Sequence, residues 1–114
     1  MANTFLLKTQ SNIDTSLETV YTADTSSLDA TVIIGMTFAN RTASSVTVQC
    51  KIVTASSSGE NADDVWLLYN APVPAGSTFE FCQGNKIVLE LNDVVQVLAS
   101  AANVDWSMSV MEIT

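Results

Sequence analysis

The chain has 114 residues, no histidine, and four basic side chains against 12 acidic ones, for a formal net charge of −8. That composition excludes Ser-His-Asp triads, Cys-His pairs and histidine-based metal sites, and the charge opposes contact with nucleic acid or an anionic membrane. Hydrophobic residues make up 47% and charged residues 14%, more apolar side chain than one small core absorbs, so part of the surface is expected to lie against other chains.

The start, Met1-Ala2-Asn3-Thr4-Phe5-Leu6-Leu7-Lys8, lacks the basic n-region and long apolar run of a secretory signal, and no stretch approaches the roughly 18 to 20 apolar residues of a membrane-spanning helix. Synthesis in the cytoplasm is the expectation. Residues 1–12 form a candidate N-terminal arm, with Phe5, Leu6 and Leu7 as candidate interface residues, because a terminal strand can pair with any open sheet edge. Weak strand signals cover Phe5 to Gln10 and Leu17 to Ala23, and only Thr15 to Val20 and Ala62 to Leu68 could pass for helical turns.

From Thr31 the chain reads TVIIGMTFAN, and strict alternation would put Val32, Ile34, Met36 and Phe38 on one face. A polar connection at 40–44 leads to Val46, Val48, Cys50 and Ile52 alternating with Thr47, Gln49 and Lys51. The two runs together suggest a hairpin. Residues 55–64 form a polar segment expected to be an exposed loop. Val65-Trp66-Leu67-Leu68-Tyr69 is a short strand apolar on both faces, and 70–76, with Pro72 and Pro74, reads as a turn. Phe79 and Phe81, then Ile87 and Leu89, then Val94 to Ser100, and finally Val104, Trp106, Met108 and Val110 supply the remaining strands. The result is an all-β chain, an antiparallel β-sandwich or jelly roll of about eight strands in one domain spanning 1–114.

Several constellations have ordinary explanations. Cys50 and Cys82 read first as small buried hydrophobes, with a disulfide as the alternative. Glu60, Asn61, Asp63 and Asp64 fit no known cation-loop signature and read as solvated. Glu80, Glu90 and Asp93 are expected on outward strand faces, away from any catalytic pairing. The sequon Asn40-Arg41-Thr42 has meaning only after secretion. Trp106 is in phase with the core. Trp66, Leu68 and Tyr69 are candidate interface residues, with Trp66 and Leu68 expected on one face, since aromatics commonly anchor interfaces. No catalytic residue, metal ligand or cofactor is expected.

Some segments resemble a type of small virion protein of tailed bacteriophages, cyanophage-like in character. They are Val20-Tyr21-Thr22-Ala23, the run from Phe38 to Val48, Val73-Pro74-Ala75-Gly76, Gly84-Asn85-Lys86-Ile87-Val88-Leu89-Glu90, and Asn92-Asp93-Val94-Val95-Gln96-Val97-Leu98 with the Val-Asp-Trp-Ser strand after it. The similarity spans about residues 18 to 113. Where such proteins carry a Gly-Asp turn, this chain has Leu91-Asn92-Asp93, so Asn92 must supply any left-handed conformation there. The resemblance implies a β-sandwich virion component without catalytic residues. The expectation is a capsid decoration (cement) protein on the capsid exterior, made in the bacterial cytoplasm, with the major capsid protein as partner. A homo-oligomer is expected, a trimer before others, with no nucleic-acid or membrane partner. A tail, neck or portal-associated protein is the first alternative and a β-sandwich carbohydrate-binding module the second. An exposed planar aromatic platform would mark the latter.

Overall fold

A computed structural model describes residues 3–23, 30–54, 64–81, 86–90 and 92–113. Among them run nine strands and no helix: β1 (Asn3–Ile13), β2 (Glu18–Thr22), β3 (Ala30–Asn40), β4 (Val46–Val53), β5 (Val65–Val73), β6 (Thr78–Phe81), β7 (Ile87–Leu89), β8 (Val94–Ala99) and β9 (Val104–Ile113). One sheet has the order β1-β9-β3-β6, with β7 also paired to β3; the other has the order β2-β8-β4-β5. All pairings are antiparallel, and they nest: β1 with β9, β2 with β8, β3 with β6 and β7, β4 with β5. A chain folded back on itself like one long hairpin, then rolled so that alternate pairs enter opposite sheets, gives this order. It is the jelly roll, with β6 and β7 together serving as one strand.

The core lies between the sheets. Val46, Val48, Cys50 and Ile52 of β4, Val95 and Val97 of β8, and Val104, Trp106, Met108 and Val110 of β9 are all buried, as their alternation predicts. Phe38, fully buried opposite Trp106, is the largest contribution of β3 to that core. Truncating either ring to alanine is expected to cost about 3–5 kcal/mol.

β3 departs from strict alternation. Its register on β9 shifts between Ile33 and Gly35, so Ile34 is an extra, bulged residue and the phase flips across it. Thr31 and Ile33 are buried before the bulge, Met36 and Phe38 after it, while Val32 and Ile34 face outward, contrary to the single face that alternation suggests. The Tyr21 hydroxyl, with one proton, donates it to Glu112 Oε2 at 2.6 Å and so accepts from the buried Thr31 hydroxyl at 2.9 Å. That link satisfies Thr31 at the flipped position.

β3 and β4 do not form a hairpin, because they lie in different sheets. The connection between them is a corner built on Asn40, a buried side chain. Its Nδ2 donates to the carbonyls of Ser44 (2.8 Å), Val73 (3.0 Å) and Pro74 (3.2 Å), and its Oδ1 accepts from Thr42 N (2.9 Å) and Thr42 Oγ1 (2.7 Å). One amide thus ties the corner to the end of β5. A hairpin would pair the two strands directly, but both must turn a face to the shared core, and a corner lets them do so from opposite sides.

β5 runs through Val73, past the point where its prolines suggest a turn. Pro72 sits opposite Thr47, tolerated because β5 is an edge strand whose outer N–H positions need no partner. The turn proper is 74–77, with Gly76 at φ +68. Asn12, Asn70, Asn92 and Asn103 also have positive φ, the conformation asparagine tolerates best after glycine. Asn92 fills the left-handed position its turn requires. Asp93 is not on an outward face: it is buried, and its Oδ2 accepts from Glu90 N at 2.9 Å to hold that turn.

Candidate interaction surface

The outer face of the β1-containing sheet carries an apolar row. Phe5 pairs with Met111, Met111 with Val32, and Val32 with Val88, so four side chains from four strands line up across the sheet. Their neighbours Val110, Thr31, Ile33 and Leu89 point into the core, which leaves the row on the solvent side. Phe5 is 70% exposed and Val88 61%. Leu7 and Ile34 extend the patch, and none of the six side chains is charged. Soluble monomers rarely display contiguous apolar rows of this kind.

Farther along the same face the character changes. Thr9, Ser107, Thr37 and Glu80 form the corresponding polar row, with a hydrogen bond between the Thr37 and Ser107 hydroxyls. Thr9, Thr37 and Ser107 border an open hollow of about 480 Å³. At its end Arg41 pairs with Asp105 at 3.0 Å and also bonds Asn12 Oδ1, while Asn12 N donates to Asp105 at 3.1 Å. This cluster pins the bulge where β1 bends from Gln10 to Ile13.

The candidate interface residues separate by face. Phe5 and Leu7 point outward, while Leu6 turns inward and packs against the core. Trp66 and Leu68 do not share a face: Leu68 lies opposite buried Cys50 and Trp66 opposite Lys51, with Leu67 the extra residue of a bulge. Trp66 and Tyr69 are exposed and meet edge to face, centroids 5.4 Å apart at 73°. The Lys51 ammonium lies 5.5 Å from the Trp66 ring centroid and 4.0 Å from Asp64. Alternation already sets Val88 and Met111 opposite the core faces of their strands, whereas Val32 does not emerge from the sequence as a surface residue. The signal that reveals it is the bulge at Ile34, which alternation alone conceals. Cys82, Glu60, Asn61 and Asp63 lie outside the described residues, as does most of the 55–64 segment.

No protein-family model matches the chain, and no curated protein matches it by sequence. Among solved structures, it is similar to a chain of the infectious bursal disease virus particle, with a TM-score of 0.58 at 10% identity, covering 96% of this chain and 31% of that one. The Gx strain of the same virus gives 0.57 at 10% identity, with 96% and 32% coverage. A subunit of the disulfide-linked pili of Bacillus endospore appendages gives 0.47 at 16% identity, covering 98% of this chain and 90% of that one. The chain spans about a third of the length of the viral chains it matches. At these identities the likeness is one of fold: an all-β sandwich of the kind found in virus particles.

Proposed function

We propose that this protein is a non-enzymatic structural component of a tailed-phage virion, and specifically a decoration protein that cements the capsid from outside. The observation that carries this reading is the β-sandwich fold, similar over 96% of the chain to part of a protein of a virus particle, together with an uncharged apolar row on an outer sheet face. Burial of that row across junctions between capsid subunits adds binding free energy to the assembled state alone, which raises the load at which the shell fails. The net charge of −8 suits a surface facing solvent, on the side of the shell away from the DNA. Its partners on this reading are the major capsid protein and further copies of itself. A trimer suits threefold positions of a shell and a dimer suits twofold ones.

A carbohydrate-binding module needs a flat aromatic platform. Trp66 and Tyr69 stand nearly perpendicular, and Lys51 lies over the Trp66 ring, so the two rings offer no such plane.

Quantitative mass spectrometry of purified virions tests the proposal. A copy number on the order of hundreds, as icosahedral repetition requires, is expected. A count of about six to a few tens, set by axial symmetry, would move the protein to the tail, neck or portal. Absence from virions would end the virion reading.

A further inference from the structure

The sandwich has four lateral strand edges, and three are blunted. β6 and β7 are short, at four and three residues. β2 has five residues and a register shift between Thr19 and Tyr21. β5 carries Pro72, the positive-φ Asn70 and two register shifts. Short strands, prolines and bulges are the devices by which native sheets keep strangers from pairing at an edge.

β1 has none of these over most of its length. Asn3 to Gln10 pair with β9 in eight consecutive steps without a shift, and the stretch contains no proline. Its only charge, Lys8, is drawn toward the sandwich, 5.8 Å from the Tyr21 ring centroid. Among the described residues no strand pairs with the far edge of β1, which leaves a row of backbone donors and acceptors open beside the exposed Phe5 and Leu7.

The strand is also self-complementary. In an antiparallel pair, residues directly opposite share a face, so two copies of β1 match faces only when the two position numbers sum to an even value. A twofold axis at Leu6 sets Phe5 beside the partner's Leu7 and Leu7 beside the partner's Phe5, both pairs exposed and apolar. Thr4 then faces the partner's Lys8, and no like charges meet. β1 carries no carboxylate in a chain that has 12, so this edge brings two copies together where their mutual repulsion is least.

We propose that two copies of this chain join by antiparallel pairing of β1 with the partner's β1 about a twofold axis at Leu6. The pairing makes one sheet continuous through both copies and places their two apolar rows side by side on one face. This is edge-strand addition used symmetrically, and it closes at two.

Sedimentation of the purified full chain tests this without any shell, so its outcome is independent of the virion reading. A dimer is expected at roughly 10–100 µM. F5K/L7K sets introduced lysines opposite one another and is expected to weaken dimerisation by roughly tenfold or more, whereas F5K/L7E sets opposite charges together and restores it. Thermal melts matching wild type confirm that both variants fold. In a C82S background, L6C is expected to form an interchain disulfide on oxidation, because Cα atoms directly opposite lie about 4.5–5.5 Å apart. A wild-type monomer, a trimer, or equal behaviour of the two charge variants would overturn the proposal.

Discussion

Asn40 shows how one side chain can decide a connection. It is buried and its two N–H protons are shared among three carbonyls that end or leave strands, while Thr42 returns two hydrogen bonds to its Oδ1. Replacing it by alanine removes these donors: Pro74 O keeps Ser77 N and Ser77 Oγ, and Ser44 is exposed, but Val73 O at the buried end of β5 keeps only a long contact to the Ser45 hydroxyl at 3.4 Å. A buried group left poorly satisfied costs about 1–3 kcal/mol, so Asn40→Ala is expected to lower stability by about 1–3 kcal/mol in denaturant titration. Asn40→Asp is expected to be no better, since a carboxylate has no proton to offer the carbonyls. A loss below about 1 kcal/mol would mean that the corner is held by something else. The two glycines with described surroundings make a complementary pair. Gly76 has φ +68 and Gly35 does not, and an added Cβ meets nothing within 4 Å at either. Gly76→Ala is therefore expected to cost about 1 kcal/mol through backbone strain alone, and Gly35→Ala to be neutral or slightly stabilising.

At the scale of elements, β1 separates two roles that adjacent residues would otherwise blur. Leu6 packs on the core, whereas Phe5 and Leu7 lie on the open face. Phe5→Ser with Leu7→Ser is expected to change monomer stability by less than about 1 kcal/mol while reducing assembly. Leu6→Ser is expected to cost more than the pair together, because it places a hydroxyl against apolar neighbours. Comparing thermal melts of the two variants decides the matter, and the reverse order would mean that the facing of β1 has been misread. The bulges act at this scale too. Those at Ile34 and Leu67 each turn one strand partly inside out, and between them they create the apolar row on one sheet and the Trp66–Tyr69 pair on the other.

For the whole molecule, the governing fact is that the first strand pairs with the last, Asn3 opposite Ile113. Nearly every ladder in a nested roll joins residues distant in sequence, so chain entropy is lost before many contacts form. Folding is accordingly expected on a timescale of roughly milliseconds to seconds, as read by stopped-flow fluorescence of Trp106 in the core. Microsecond refolding would contradict this topology. The terminal strand that completes the monomer is the same one whose other edge pairs with no strand among the described residues.

The all-β class, the strand positions, the Cys50 and Trp106 faces and the left-handed Asn92 were legible in the residues, because side-chain period and backbone preference are local properties. The continuation of β5 through Pro72 was not, since a proline's cost depends on whether its strand lies at an edge, and only the assembled sheet defines edges. Nor was the partition of β3 and β4 between sheets, because a hairpin and a corner can share one alternating pattern and differ only in the tertiary bonds of Asn40. The alignment of Phe5, Val32, Val88 and Met111 into one outward row was the least visible, for it depends on pairings across four strands and, for Val32 alone, on a one-residue bulge. Alternation tells which residues share a face within a strand; the bulges and the sheet partners decide which way that face points.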